Sequence, residues 1–283
     1  HFVVEDGKVV FTADKEEYKR AISYYHQYFK EGLFDQEGFT QDVAQYFAKG
    51  KTEEVTLGSF MLWNAENMAG PERAKDYVPV PPLKGPDGHQ LWTKCNLYNA
   101  TITGTTFAIT TACENPEIVV RWVDQLYDKK TSAEGNWGSI GVVLREDSDG
   151  VLRFNAPPEG MSFDEFRYAN CPVWPPSALF AEDLEVVIET PPANVSKLKI
   201  MHEVYEPYML SETLPGMPYN KDESDWLASG GTDINNLVND NRAKWLLNGG
   251  VEEEWDSYIE QLNKLDLKKH IEIIQNAYDR FMQ

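Results

Sequence analysis

Apolar positions recur at helical spacing from Asp14 to Glu31, with Tyr18, Ile22, Tyr25 and Phe29 on one face and Gly32 as the stop. A second helix is predicted over Thr40 to Lys49, with Val43 and Phe47 inward and Gly50 ending it. Ahead of both, Phe2-Val3-Val4 and Val9-Val10-Phe11 flank an Asp6-Gly7 pair, the pattern of a β-hairpin. A lone hairpin is marginal in water, so a chain opening in one is expected to be cut from a larger protein. Glu54 to Leu62 reads as an extended segment, and Trp63 to Asn67 as the loop or helix start after it. Asn99 to Thr111 reads as a strand.

Asn115-Pro116 predicts a helix start, an Asn cap with Pro at the first helical position. Val119, Val123 and Leu126 give that helix its apolar face, with Trp122 beside them. Asp147 to Phe154 reads as a turn and strand around Asp149-Gly150. Val78 to Gly88, residues 155–180 and Pro215 to Asp225 read as loops, rich in Pro and Gly or lacking periodicity. A helix is possible over 193–205. The last fifty residues are helical. Thr232 caps a helix stopped by Gly249-Gly250. Trp255, Ile259, Leu262 and Leu265 mark the next, and Ile271, Ile274, Tyr278 and Phe281 the last. Helices mixed with a few separated strands fit an α/β or α+β domain.

The charge narrows the function. Of 283 residues, 26 are Lys or Arg and 46 Asp or Glu, a net charge of −20. Nucleic-acid binding rests on clustered basic residues, and none cluster here, so neither nucleic acid nor an anionic membrane surface is an expected partner. No run of 18 apolar residues is present, and no basic leader with an apolar core opens the chain, so no signal peptide is read. Cys95, Cys113 and Cys171 are too sparse for a disulfide framework or a metal site and read as small buried hydrophobes.

No GxSxG, HExxH, Walker loop or GxGxxG occurs, and the five His have no metal-ligand spacing, so no cofactor is expected. His26 and His270 fall within helices and read as surface residues. Asp147-Ser148-Asp149-Gly150 begins like a calcium loop but lacks its third acidic position and its closing Glu, so it reads as a turn.

Aromatic residues beside polar groups in loops are more informative. Trp63 is followed by Asn64 and Glu66. Asn136 and Trp137 lie between Gly135 and Gly138, where glycine would let backbone approach a ligand. Trp92, Trp174 and Trp226 also lie in segments of loop composition, whereas Trp122, Trp245 and Trp255 read as core. An indole face beside Asn, Asp and Glu suits a sugar ring: C–H groups stack and hydroxyls hydrogen-bond. The opposing reading is that each Trp packs under a long loop; Trp63 and Trp137 are the stronger candidates.

Ordered motifs add a family resemblance. Thr232-Asp233-Ile234-Asn235, Arg242-Ala243-Lys244-Trp245, Glu254-Trp255-Asp256-Ser257-Tyr258 and Gln275-Asn276-Ala277-Tyr278-Asp279-Arg280-Phe281 follow in sequence. Upstream lie Lys30-Glu31-Gly32-Leu33-Phe34-Asp35, Phe39-Thr40-Gln41-Asp42, Asn115-Pro116-Glu117, Arg121-Trp122-Val123-Asp124 and Trp137-Gly138-Ser139-Ile140-Gly141. The set resembles the C-terminal portion of extracellular solute-binding proteins of bacterial ABC carbohydrate importers, in the large-lipoprotein group that includes alginate-binding members.

The resemblance implies an α/β, type II periplasmic-binding-protein-like fold of two lobes, here a helix-rich C-terminal fragment. Residues 1–100 would form a lobe-two core segment. Residues 101–215 would supply a hinge-crossing strand (99–111) and a lobe-one return segment. Residues 216–283 would be helices packing on lobe two. The implied function is non-enzymatic oligosaccharide binding between the lobes, with ABC permease subunits as partners. The complete protein would be extracellular and lipid-anchored, or periplasmic, and a monomer. The residues read as ligand-binding, from the loop aromatics and the resemblance together, are Trp63, Asn64, Glu66, Asn136, Trp137, Trp174, Asp225 and Trp226. A glycan-processing enzyme with paired carboxylates, or a fragment without ligand activity, are the alternatives.

Overall fold

A computed structural model describes residues 1–62, 64–92, 107–171, 199–210 and 212–283. In their described residues, two compact units divide the chain. The first draws on His1–Gln41 and Met209–Gln283, the second on Asp42–Trp92 and Thr105–Tyr208.

The first unit opens with strands β1 (Phe2–Glu5) and β2 (Lys8–Phe11), antiparallel with Phe2 opposite Phe11 and Glu5 opposite Lys8. The expected Asp-Gly turn joins them. Asp6 and Gly7 both take positive φ, 51° and 72°, the twist a two-residue hairpin needs. Helix α1 (Glu16–Lys30) follows, close to its predicted bounds. Its inward residue is Ile22, at 4% exposure, while Tyr25 is 47% exposed. Tyr25 instead packs edge-on against Tyr24 and Phe34 on the outer face.

Three helices close this unit: α8 (Thr232–Asn248), α9 (Val251–Lys264) and α10 (Leu267–Phe281), preceded by α7 (Lys221–Trp226). The core joins Phe11, Ala13 and Ile22 to Ile234, Val238, Trp245, Trp255, Tyr258 and Leu262. Trp245 is fully buried, and its Nε1–H donates to Glu254 Oε2 at 2.6 Å. Tyr258 donates its hydroxyl to the Ala13 carbonyl at 3.0 Å, tying α9 to the chain after the hairpin. Val4 and Val9 pack on Ile274 and Tyr278 of α10. The side chain of Gln275 accepts from the Val9 N–H at 2.7 Å and donates to the Gly7 carbonyl at 3.2 Å. An exposed strand edge is thus satisfied by a helix side chain.

Several expectations are corrected in this unit. Part of the predicted 215–225 loop is helical, because Asn220 and Glu223 form a reciprocal capping box. Thr232 is not a cap. A five-residue wide turn, Leu227–Gly231, runs into α8 without a break, and Thr232 Oγ1 donates to the Leu227 carbonyl at 3.3 Å. His270 is not a surface residue but 3% exposed, wedged between Phe2 and Trp226 at ring distances of 4.9 and 5.4 Å.

The second unit contains α2 (Val43–Gly50), α3 (Ala65–Arg73), α4 (Pro116–Asp124), α5 (Lys129–Trp137), the hairpin β3 (Leu144–Glu146) and β4 (Leu152–Phe154), and α6 (Phe163–Asn170). Helix α2 starts at a capping box between Asp42 and Gln45, and its predicted inward residue Val43 is 68% exposed. The contact with α3 is made through Gly50, which is the last residue of the helix rather than a stop beyond it. A Cβ there would lie 2.3 Å from the Met68 carbonyl oxygen, so only glycine allows this approach.

Residues 54–62, expected to be extended, are irregular and belong to no strand. Most of the predicted strand at 99–111, and 193–198 of the next predicted helix, lie outside the described residues. Met201–Tyr205 forms a wide helical turn. Pro116 takes the first position of α4 as predicted, but the Asn115 side chain makes no capping bond, and Trp122 is 64% exposed rather than core. Residues 78–88 run as loop and turn, as predicted. Cys113 and Cys171 are unpaired and only partly buried.

Helix α6 corrects the reading of 155–180 as loop. Ser162 caps it and Glu165 returns the bond, with Ser162 Oγ accepting from the Glu165 N–H at 3.2 Å. The β3–β4 hairpin is the predicted turn around Asp149-Gly150. Leu144 and Leu152 pack with Ala133 of α5 to form a small core under Trp137, Ile140 and Phe154.

Candidate functional site

The sequence after Trp63 builds a polar cluster in the second unit. Asn64 is the N-cap of α3. Its side-chain oxygen accepts from the Asn67 N–H at 2.9 Å, satisfying one of the orphan donors of the first helical turn. Its amide nitrogen donates to Asp164 Oδ2 at 2.8 Å. Asn67 donates to the same oxygen at 2.8 Å, and its own carbonyl oxygen accepts from Ser162 Oγ at 3.3 Å. Asn67, Ser162 and Asp164 were not singled out from sequence. Ser162-x-x-Glu165 is a capping-box signature, however, and it would have located the helix that carries Asp164.

Asn136 and Trp137 end α5. Asn136 donates its side-chain amide back to the Ser132 carbonyl at 2.8 Å, and its own carbonyl accepts from Arg167 Nε at 2.7 Å. The same guanidinium lies 4.3 Å from the Trp137 ring centroid, and Phe154 meets the indole edge-on at 5.4 Å. With Arg167 on one face, at most one face of the indole is left for a ring-shaped ligand. The flanking glycines have another use than ligand approach. Gly135 lies inside α5. Gly138 takes φ 109°, and a Cβ on it would fall 2.6 Å from Val143.

Helix α6 therefore reaches both candidate groups. Asp164 holds Asn64 and Asn67, and three residues on, Arg167 holds Asn136 and Trp137. Between them, Glu165 bonds Lys51 at 2.5 Å, which with the Ser162 cap keeps its carboxyl below the usual range. Glu66 lies in the first turn of α3, partly buried, where an acid suits the helix dipole.

The other predicted residues are placed elsewhere. Asp225 and Trp226 belong to α7 in the first unit. Asp225 is exposed and pairs with Lys221 four residues before it. Trp226 packs against the core, with Lys269 5.3 Å from its ring. Trp63 and Trp174 lie outside the described residues. Trp92 stacks obliquely on Tyr205 at 5.0 Å, as a Trp packed under a loop would.

The Asp147–Asp149 turn is closed by a protein cation. Arg153 bonds Asp147 at 2.9 Å and Asp149 at 2.8 Å, which lowers the Asp149 carboxyl to about 2. Among the described residues, no group of three or more His, Cys, Asp and Glu is gathered to hold a metal ion. No described helix is long and apolar enough to cross a membrane.

No protein-family model matches the chain. One curated relative is FusA of Streptococcus pneumoniae serotype 4, a fructooligosaccharide ABC transporter substrate-binding protein. It is 30% identical over 294 residues, covering 99% of this chain and 52% of FusA. The chain thus spans about half the length of the relative it matches. The solved structure of FusA in complex with kestose superimposes with a TM-score of 0.86 and 30% identity over all of this chain and 57% of that one. A human-milk-oligosaccharide-binding solute-binding protein from Bifidobacterium longum infantis gives 0.72 at 22% identity, over 99% of this chain and 57% of that one. The alginate-binding protein AlgQ2 gives 0.69 at 17% identity, over 98% of this chain and 57% of that one. The last two likenesses establish the fold. The chain is homologous to the C-terminal portion of FusA and shares the α/β architecture of these two-lobed solute-binding proteins.

Proposed function

We propose that the chain is part of an extracellular oligosaccharide-binding protein that delivers its ligand to an ABC permease and performs no chemistry on it. The observation that carries this reading is the match of nearly the whole chain to the C-terminal half of FusA, a protein solved with kestose bound. The full protein is proposed to be a monomer held at the cell surface by an N-terminal lipid.

The proposed ligand wall combines aromatic faces with short polar side chains. Trp137 offers the stacking face. Asn64, Glu66 and Asn136 lie on the two helices whose ends α6 ties together. Trp63, Trp174, Asp225 and Trp226 are proposed as ligand-contacting residues on the sequence alone. A pyranose or furanose C–H face stacks on indole, and hydroxyls exchange hydrogen bonds with amides and carboxylates.

Calorimetric titration tests the reading, using kestose, nystose, milk oligosaccharides and alginate oligosaccharides. Saturable heat with at least one of them, and quenching of Trp fluorescence, are expected. Trp137→Ala is expected to weaken that binding by roughly tenfold, about 1.4 kcal/mol. Flat titrations across the panel, for this chain and for the complete gene product containing it, would overturn the proposal.

A further inference from the structure

We propose that Asp164 and Arg167 act together as a positioning pair that sets the ligand-facing geometry of Asn64 and Trp137. The inference rests on the oligosaccharide-binding reading above. Asn64 and Trp137 are 73 positions apart in the chain, and each is anchored by a side chain from one turn of α6. Asp164 accepts from Asn64 and Asn67, both at 2.8 Å, through a single oxygen. Arg167 lies 4.3 Å over the Trp137 ring while its Nε bonds the Asn136 carbonyl at 2.7 Å. Residues three apart on a helix share a face, so the two anchors have a fixed spacing. The helix that carries them is itself held at its start by the Ser162–Glu165 box and by Lys51.

The chemistry of each anchor fits orientation. Asn64 has spent its carbonyl oxygen on capping α3 and one amide hydrogen on Asp164. Its remaining N–H is therefore aimed by Asp164. Arg167 is a planar cation that fixes an indole plane by stacking, which an ammonium cannot do. Binding groups held by supporting side chains lose less freedom when ligand arrives.

The pair predicts a pattern of variants, read with kestose by calorimetry and with the indole N–H and Asn amide resonances by NMR without ligand. Asp164→Ala should raise the Kd about tenfold and shift the Asn64 amide signals. Asp164→Asn should restore most of the affinity, because its carbonyl can still accept from both amides. Arg167→Ala and Arg167→Lys should both weaken binding and shift the Trp137 indole signal, with Lys giving no rescue despite its charge. Unchanged Asn64 and Trp137 resonances in the Ala variants would overturn the pair even if no sugar bound. Equal affinity of the wild type and both Ala variants would overturn it as well. A wild type that binds nothing, with the resonance shifts intact, would instead count against the oligosaccharide reading alone.

Discussion

The Arg167 guanidinium lies 4.3 Å over the Trp137 indole, and the two residues are 30 positions apart in the chain. One side chain thereby fastens α6 to the end of α5, through a cation–π contact and a bond to the Asn136 carbonyl. Replacing Arg167 by Met keeps much of the stem and removes both. The contact and the bond are each worth about 1 kcal/mol, so urea unfolding should show a loss of about 1–2 kcal/mol. A change below about 0.3 kcal/mol would mean that the stack adds nothing to stability.

Gly138 follows Trp137 in a backbone conformation reserved for glycine, with Val143 against the position of a Cβ. Gly138→Ala should therefore destabilise the second unit by about 1–3 kcal/mol through strain and overpacking. Adding Val143→Ala to the same chain should relieve part of the steric cost. Thermal melts of the two single variants and the double variant would show non-additivity; strict additivity would contradict the contact.

In the first unit, Tyr258→Phe removes only an oxygen. It leaves the Ala13 carbonyl without the donor it has at 3.0 Å in a buried position. A loss of about 1–3 kcal/mol is expected. Burial pushes the Tyr258 hydroxyl far above its ordinary pKa, so it should stay protonated through the alkaline range in which exposed tyrosines ionise. An ultraviolet alkaline titration should show fewer tyrosines ionising in the folded wild type than in the unfolded chain, Tyr258 among those held back.

His270 sets a pH dependence of known sign. Burial between Phe2 and Trp226 lowers its pKa, because the charged ring is poorly solvated there. The unfolded chain takes up the proton near pH 6.5, while the folded chain resists it to lower pH. Between those two values the unfolded state binds more protons, so stability falls as pH falls. The contribution is complete above about pH 6.5. Melting temperatures measured from pH 7.5 to 5 should decline, and His270→Phe should flatten the decline. An equal slope in both proteins would refute the assignment.

Glu223 should act in a lower window. Arg280 bonds it twice, at 2.8 and 2.7 Å, and holds its carboxyl below the usual range. A depressed carboxyl stabilises the fold above its unfolded pKa and loses that contribution as pH falls through the folded one. Glu223→Gln should therefore lower the melting temperature at pH 7, with the gap to wild type closing below about pH 4.

What was legible in the sequence was local. The Asp6-Gly7 turn, α1 and the glycine stops after α8 follow from residues within one turn of each other. The helices of the last fifty residues were also readable, since Trp255, Ile259 and Leu262 recur with the period of a helix whose one face is buried. Trp122 misled because the same period does not say whether a partner is present, and here Trp122 is exposed. Helix α6 was missed because proline-rich neighbours outweighed its capping box. With it went Asp164 and Arg167, whose importance comes from contacts across 100 and 30 positions.

By itself, the sequence determined the acidic, helix-rich α/β character, the ordered motifs of the solute-binding proteins, and the short list of aromatic and amide residues suited to a sugar. Only the tertiary structure decided which of them meet. Asn64 and Trp137 are both tied to α6, Trp226 is drawn against the first unit's core, and His270 goes inside. The physical reason is that periodicity and capping act over a few residues along the chain. Side-chain hydrogen bonds and ring contacts act over a few ångströms in space, whatever the separation in sequence.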